Sequence, residues 1–200
     1  MKRLQISLLA LAAVALLATD AAAQTQGKFL IEGRGGYTVL SGDITTFVDP
    51  GLTLGASVGY GLGEKASIWI GADYAILDGA APPQGVQTLP NWKVGGLMAW
   101  FGYNLMAGTD GKPDIMGLIG VGGSNWNVDE GNPNNPGFED KTVFTIGANV
   151  KLMYWAGTKF AILLNVPASY AFTDFTTSDG TELVKGTFYF PFSAGFMFAL

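Results

Sequence analysis

This 200-residue sequence predicts an all-β fold, in which eight antiparallel strands follow one another in up-and-down order. Three observations lead to this prediction. Apolar residues recur at every second position after residue 26, which is the period of a strand. The connections between these segments alternate between long and short, as in a meander whose two ends face different surroundings. Charged residues make up 14% of the chain, against a usual value of about 25%.

A signal peptide is expected before the first strand. Lys2 and Arg3 precede an apolar run of 15 residues, 4–18, and Ala21–Ala23 supply small residues for cleavage. A membrane-spanning helix needs about 20 apolar residues, so this run is short for one. We therefore expect residues 1–23 to be removed and residues 24–200 to form the β domain.

The first four predicted strands each set an apolar face against a polar or small one. In the first, Glu32 and Arg34 share the polar face, and in the third Asp73 does so. The second, LTLGASVGYGL, alternates large apolar residues with Thr, Gly and Ser. In the fourth, Trp92 is assigned to the apolar face, which places Lys93 on the opposite one. These strands cover residues 28–39, 52–62, 66–77 and 91–103.

The last four predicted strands keep the same alternation. Lys151 lies on the polar face of the sixth, and Pro167 and Pro191 lie on that face of the seventh and eighth. The eighth ends in GTFYFPFSAGFMFAL, with apolar residues at every second position. These strands cover residues 114–124, 142–154, 160–172 and 187–200.

The placement of charge decides what surrounds the barrel. Parity puts every charged strand residue on the face opposite the apolar one: Lys28, Glu32, Arg34, Asp73, Lys93 and Lys151. A soluble barrel would turn its charges outward to water, whereas a membrane barrel has lipid outside and a polar lumen. The sequence therefore predicts a transmembrane β-barrel. Its narrow lumen is expected to hold an ion-pair network of Glu32, Arg34, Asp73, Lys93 and Lys151.

Aromatic residues on the predicted outer face collect near the strand ends, as in the girdles of membrane barrels. One end has Phe29, Tyr60, Trp100, Tyr154, Phe160 and Phe198, and the other has Tyr37, Tyr74, Trp92, Phe144, Phe172 and Phe188. The outer positions between them are aliphatic or small.

The long loops are acidic. They carry ten acids against Lys141 and Lys185: Asp43, Asp49, Asp78, Asp129, Glu130, Glu139, Asp140, Asp174, Asp179 and Glu182. Short turns lie inside the cell envelope in this class of barrel, which would put the acidic loops outside. They would bind divalent cations that bridge lipopolysaccharide, or a basic partner, or simply be solvated. Nucleic acid is disfavoured by this sign of charge.

The whole segment 24–200 resembles the small eight-stranded outer-membrane proteins of the OmpA/OmpX-like families. The resemblance implies an outer-membrane location among lipid and lipopolysaccharide. Phe196, Phe198 and Leu200 resemble the C-terminal strand that the barrel assembly machinery recognises in such proteins. It therefore implies that machinery as a partner.

Catalysis is not expected. The chain has no His and no Cys, so it lacks the commonest general base and the usual ligands of transition metals. The small outer-membrane enzymes that it resembles in barrel type use a histidine. We expect a non-enzymatic protein without cofactor or metal, with a structural or surface-interaction role through its acidic loops.

Pro167 and Pro191 support an alternative function. Proline lacks an N–H donor and is unusual inside a central strand. Their spacing about the intervening loop suggests that they face each other across one seam. A loosened seam would let a small apolar molecule pass sideways between lumen and bilayer, through a narrow conduit or binding site between strands seven and eight. A pair of local β-bulges is the other interpretation.

Overall fold

A computed structural model describes residues 26–80, 89–106, 113–129, 132, 138–176, 180 and 182–200, so the predicted signal peptide lies outside the described residues. Eight strands form a closed barrel in which each strand pairs antiparallel with its neighbours in sequence, and β8 closes on β1. The predicted fold class is confirmed. The strands are β1 Phe29–Ser41, β2 Gly51–Gly61, β3 Ala66–Leu77, β4 Trp92–Met106, β5 Asp114–Val128, β6 Lys141–Trp155, β7 Phe160–Thr176 and β8 Glu182–Ala199.

The long loops join the strands at one end of the barrel, called the loop end, and the shorter connections lie at the turn end. Near the loop end, a one-turn 3₁₀ helix, Asp43–Thr46, follows β1. In the described part of the chain, no helix is long and apolar enough to cross a bilayer.

Large apolar side chains cover the outer face of the barrel. Leu52, Leu54 and Ile70 are 69%, 68% and 62% exposed, although each is strongly apolar. A surface of this kind suits hydrocarbon rather than water, and closure of the sheet leaves no unpaired strand edge in it. Aromatic pairs flank this belt at the turn end (Phe29–Tyr60, Phe160–Phe198) and at the loop end (Phe144–Phe172).

The interior contains three layers, and the charged network that the sequence predicted occupies the middle one. An apolar cluster at the loop end includes Trp92, Trp126 and Phe175, and a second at the turn end includes Met153 and Met197. Charged and polar side chains lie between them. An eight-stranded barrel is narrow enough for side chains to fill it, so its interior packs as a core and accepts apolar residues.

The prediction that Lys93 points into the lumen is wrong. Lys93 is exposed on the outer face of β4, while Trp92 is fully buried and Trp100 also points inward. Both faces of this strand are largely apolar, so alternation alone does not choose between them. Trp100 can pack inward because residue 120 is a glycine. A Cβ at that position would overlap the indole ring of Trp100.

Candidate functional site

The middle layer of the lumen is built around Arg34. Its Nη1 donates to Glu32 Oε1 at 2.6 Å and to Ser57 Oγ at 2.8 Å, and its Nη2 donates to Asp73 Oδ1 at 2.7 Å. The period of two on β1 places Glu32 and Arg34 on the same face, and the β2–β3 pairing brings Asp73 within reach. Arg34 therefore links the first three strands.

Lys151 of β6 approaches the same layer from across the barrel. Its Nζ donates to Glu32 Oε2 at 2.5 Å and lies 3.8 Å from the centroid of the Trp69 ring. Asn165 of β7 adds a hydrogen bond from Nδ2 to Glu32 Oε1 at 3.1 Å. Glu32 is thus the common acceptor for groups on three strands.

The structure brings together four of the five residues predicted for this network and leaves Lys93 outside it. Two acids and two bases make the layer neutral, and each charge has an opposite partner within 2.7 Å. Because both Glu32 oxygens are engaged by cations, the carboxylate is held as an acceptor rather than as an accessible proton donor. No group of three potential metal-ligating side chains occurs among the described residues.

Two small voids border this layer. One of about 30 Å³ reaches from Asp73 and Trp100 to Pro167 and Pro191, and the other, of about 20 Å³, lies beside Lys151. A water molecule needs about 10–15 Å³ of such volume, so each void has room for one or two waters. Neither is an open passage.

The loop end of the lumen is filled by side chains from the loops themselves. Ile44 lies in the 3₁₀ helix and Val48 follows it, and both are buried in the apolar cluster at the loop end. Phe138 from the β5–β6 loop is buried in the same cluster. The Phe138 ring lies 5.0 Å from the Phe47 ring and 5.1 Å from the Trp92 ring, between ring centroids. The alternation of strand residues does not predict this plug, although apolar residues inside polar loops were the available signal.

Backbone hydrogen bonds fasten these loops to one another. Asp49 N donates to Asp78 O at 2.8 Å, and Ala80 N donates to Phe47 O at 3.0 Å. In the next loop, the Asp140 carboxylate accepts the Val128 N–H at 2.9 Å. The described parts of the loops therefore present their acidic residues from an anchored backbone. Glu130 and Asp179, two of the predicted loop acids, lie outside the described residues.

Pro167 and Pro191 lie opposite each other on β7 and β8. The pairs Asn165↔Ser193 and Ser169↔Tyr189 have the same register on both sides of the prolines, and the three residue pairs between them do not form ladder hydrogen bonds. Alternate pairs of an antiparallel ladder exchange both N–H···O bonds. Pro167 and Pro191 have no N–H groups, so the two hydrogen bonds that this pair would exchange are absent. The pairs on either side share those bonds, and three successive pairs are therefore lost. Because the register is unchanged, no bulge separates the prolines.

Unpartnered polar side chains surround the same point of the seam. Thr38 pairs with Pro191 and Asn149 pairs with Pro167 on the neighbouring strands. Thr38 Oγ1, Asn149 Oδ1 and Ser193 Oγ are buried without a hydrogen-bond partner. Together with the adjoining void, they leave this region of the described barrel wall incompletely hydrogen-bonded.

Comparison with known proteins places the fold. No family model matches the chain, and no curated protein matches it. Among solved structures, Neisserial surface protein A (NspA) aligns with a TM-score of 0.61 and 15% identity, over 90% of this chain and 99% of that one. The outer membrane protein OprG from Pseudomonas aeruginosa aligns with a TM-score of 0.55 and 18% identity, over 90% and 99%.

A third similar structure is Ail, the attachment invasion locus protein of Yersinia pestis, in complex with the heparin analogue sucrose octasulfate. It aligns with a TM-score of 0.52 and 10% identity, over 88% of this chain and 99% of that one. The chain therefore has the fold of the small eight-stranded outer-membrane β-barrels, as its sequence resemblance implied. At these identities the likeness concerns architecture, so its function has to be argued from its own residues.

Proposed function

We propose that this chain is a non-enzymatic, integral outer-membrane protein that presents an acidic surface outside the cell to basic partners. The observation that carries the proposal is the filled lumen, with apolar clusters at both ends of a neutral ion-pair layer. A barrel filled in this way serves as a scaffold rather than an aqueous pore. The same proposal has residues 1–23 removed on export and the C-terminal strand recognised by the assembly machinery.

Anchoring of the loops supports the surface role. Asp49 and Asp78 are held side by side by the hydrogen bond between their backbones, and both side chains are exposed. Asp43 is exposed on the 3₁₀ helix that follows β1. A preformed surface binds with less loss of conformational entropy than mobile loops would. Because the described carboxylates form no group of three, a basic partner fits better than a chelated metal ion.

The test combines conductance with binding. We expect the protein in a planar lipid bilayer to give no stable ion-conducting steps. In nanodiscs it should bind an oligolysine peptide with an affinity that falls as salt rises, since exposed charges are screened. Asn in place of Asp43, Asp49 and Asp78 should weaken that binding, whereas Glu64→Gln in a short turn should leave it unchanged. Stable conductance would contradict the scaffold role. Equal affinity of the triple variant and the unaltered protein for oligolysine would contradict the surface role.

A second function is favoured by one specific observation, the interrupted ladder between Pro167 and Pro191 with a void on its inner side. In this alternative, a small apolar molecule binds in the lumen near the loop end and moves sideways between β7 and β8. The aromatic cluster that includes Trp126 and Tyr189 would contact such a molecule.

Native mass spectrometry of protein extracted from its own membrane in mild detergent tests this alternative. A reproducible apolar adduct is expected, together with its loss in the double variant Pro167→Val/Pro191→Val, which restores both N–H donors. Pro113→Val, at an exposed proline away from the seam, is the matched control. A bare barrel, under conditions that keep lipid on other membrane proteins, would reject the conduit.

A further inference from the structure

The outer wall between β2 and β6 is concave. Its floor is formed by small residues that point outward on neighbouring strands. Ala56 of β2 is opposite Ala72 of β3. Gly95 of β4 is the next outward residue before Leu97, and Leu97 is opposite Gly123 of β5. The resulting groove is shallow and open on the side that faces lipid, with a volume of about 1040 Å³. The outer face of β8 differs sharply, because five phenylalanines project from it: Phe188, Phe190, Phe192, Phe196 and Phe198.

The groove ends in polar groups at its upper, loop-end rim. Asn125 Nδ2 donates to Thr142 Oγ1 at 2.8 Å, and both residues line the groove. That bond leaves a second amide proton of Asn125 and the hydroxyl proton of Thr142 able to donate to a ligand. Two residues above Gly95 on the same strand, Lys93 extends outward and is exposed. Within β1–β6, Lys93 is the charged residue that lies on the outer face.

The height of Lys93 matches a lipid headgroup. Gly95 pairs with Tyr74, an aromatic residue of the loop-end girdle, so Lys93 lies one outward position beyond that girdle. From Gly95 to Ala99 the groove runs four residues, about 13 Å along the strand. A second concave stretch of about 660 Å³ shares Ile70, Ala99 and Val121 with it and continues toward the turn end.

We propose that this groove is a binding site for a phosphorylated lipid of the outer leaflet, with its acyl chain on the small-residue floor and its phosphate at Lys93, Asn125 and Thr142. An ammonium group and neutral donors complement a phosphate, and the charge-assisted bond is the stronger kind. The nearest carboxylates by register are Asp78, Asp129 and Asp140, and Asp129 lies two residues beyond Asn127, the partner of Lys93. Asp140 is already engaged by Asn127 Nδ2 at 2.6 Å and by a backbone N–H.

Native mass spectrometry in detergent, with purified bis-phosphorylated lipid A titrated against its dephosphorylated form, tests the site. We expect Lys93→Gln to weaken binding of the phosphorylated lipid about fivefold, the usual effect of one lysine near a charged lipid surface. Binding of the dephosphorylated lipid should be unchanged. Lys185→Gln, which removes an exposed cation also near the loop end, is the matched control and should change neither.

A steric pair of variants tests the acyl-chain contact. A Cβ on Gly95 would meet only Tyr74 Cδ2 at 3.9 Å, so Gly95→Leu fits the fold and fills the groove. It should weaken both lipid forms, whereas Gly33→Leu on the outer face of β1 should weaken neither. Equal binding of phosphorylated lipid by Lys93→Gln and by the unaltered protein would overturn the proposal, as would equal loss in Gly95→Leu and Gly33→Leu. The outcome is independent of oligolysine binding by the loops.

Discussion

Replacing Glu32 by Gln should destabilise the barrel more than any surface change. The Glu32 side chain is fully buried and accepts hydrogen bonds from Arg34, Lys151 and Asn165. Without its charge, Lys151 is left buried with the Trp69 ring beside it, while Asp73 remains bonded to Arg34. Breaking a buried ion pair by removing one partner costs about 3–5 kcal/mol in free energy of unfolding. We expect a loss in that range.

Urea unfolding in lipid vesicles, followed by tryptophan fluorescence, measures this loss. Trp69 and Trp100 lie beside the ion-pair layer and report on it directly. The control is Lys185→Gln, because its ion pair with Glu182 spans 3.7 Å between side chains that are 79% and 45% exposed. Exposed pairs contribute about 0–1 kcal/mol, so this variant should stay near the unaltered protein.

A rescue variant separates charge from packing. In Glu32→Gln/Lys151→Met the stranded cation is gone, and an apolar chain of similar length can pack against Trp69. Replacement of a buried pair by apolar groups is often neutral or stabilising, so the double variant should regain more than half of the loss. A loss below about 1 kcal/mol for the single variant, or a double variant no more stable than the single, would refute the reasoning.

Three further substitutions test the packing. Gly120→Val should cost about 1–3 kcal/mol in urea unfolding, because its side chain would overlap the Trp100 ring, and an unchanged midpoint would disprove inward packing. Phe138→Ala should cost about 3–5 kcal/mol if the whole barrel senses the loss. Faster proteolysis of the β5–β6 loop at unchanged barrel stability would show instead that the plug unfolds by itself. Gly186→Ala should lower stability by about 1–2 kcal/mol, because φ is +71° there and the Tyr170 hydroxyl occupies the Cβ position. Equal stability would contradict both the strain expected at this φ and the contact with the Tyr170 ring.

Strand positions and faces followed from the sequence wherever the two sides of a strand meet different surroundings. In β2, large apolar residues alternate with Thr, Ser and Gly because one side meets lipid and the other a narrow interior. The faces of β4 were predicted the wrong way round, and the reason is physical. Trp92 belongs to the interior cluster, and Lys93 lies beyond the girdle, where a charge on the outer face meets headgroups and water.

Four charged members of the lumen network were predicted from the sequence, whereas Lys93 was assigned to it wrongly and the partner of each charge was not predicted. Spacing by two residues predicted that Glu32 and Arg34 share a face, which any strand ensures. Lys151 reaches Glu32 only because the barrel closes, over a separation of 119 residues in sequence. The burial of Phe138 depends on how a loop folds back over the mouth, and no periodicity describes that. The sequence pattern therefore does not predict contacts that depend on closure of the barrel or on the docking of loops into its mouth.

The β7–β8 seam leaves backbone groups unpaired, and the effect of this gap on stability can be measured separately from its effect on ligand binding. Backbone groups in a membrane are normally all paired, yet the carbonyls of Pro167 and Pro191 face positions without donors. Intact pairs above and below confine this gap to four residue steps, about 13 Å of strand. Pro167→Val/Pro191→Val restores two hydrogen bonds and should therefore stabilise the barrel by about 1–3 kcal/mol in urea unfolding. If that variant gains stability and loses an apolar adduct, the gap is retained for passage of the ligand, because stability alone would favour valine. If it gains stability and binds the same adduct, the ligand does not use the seam, and the conduit is rejected.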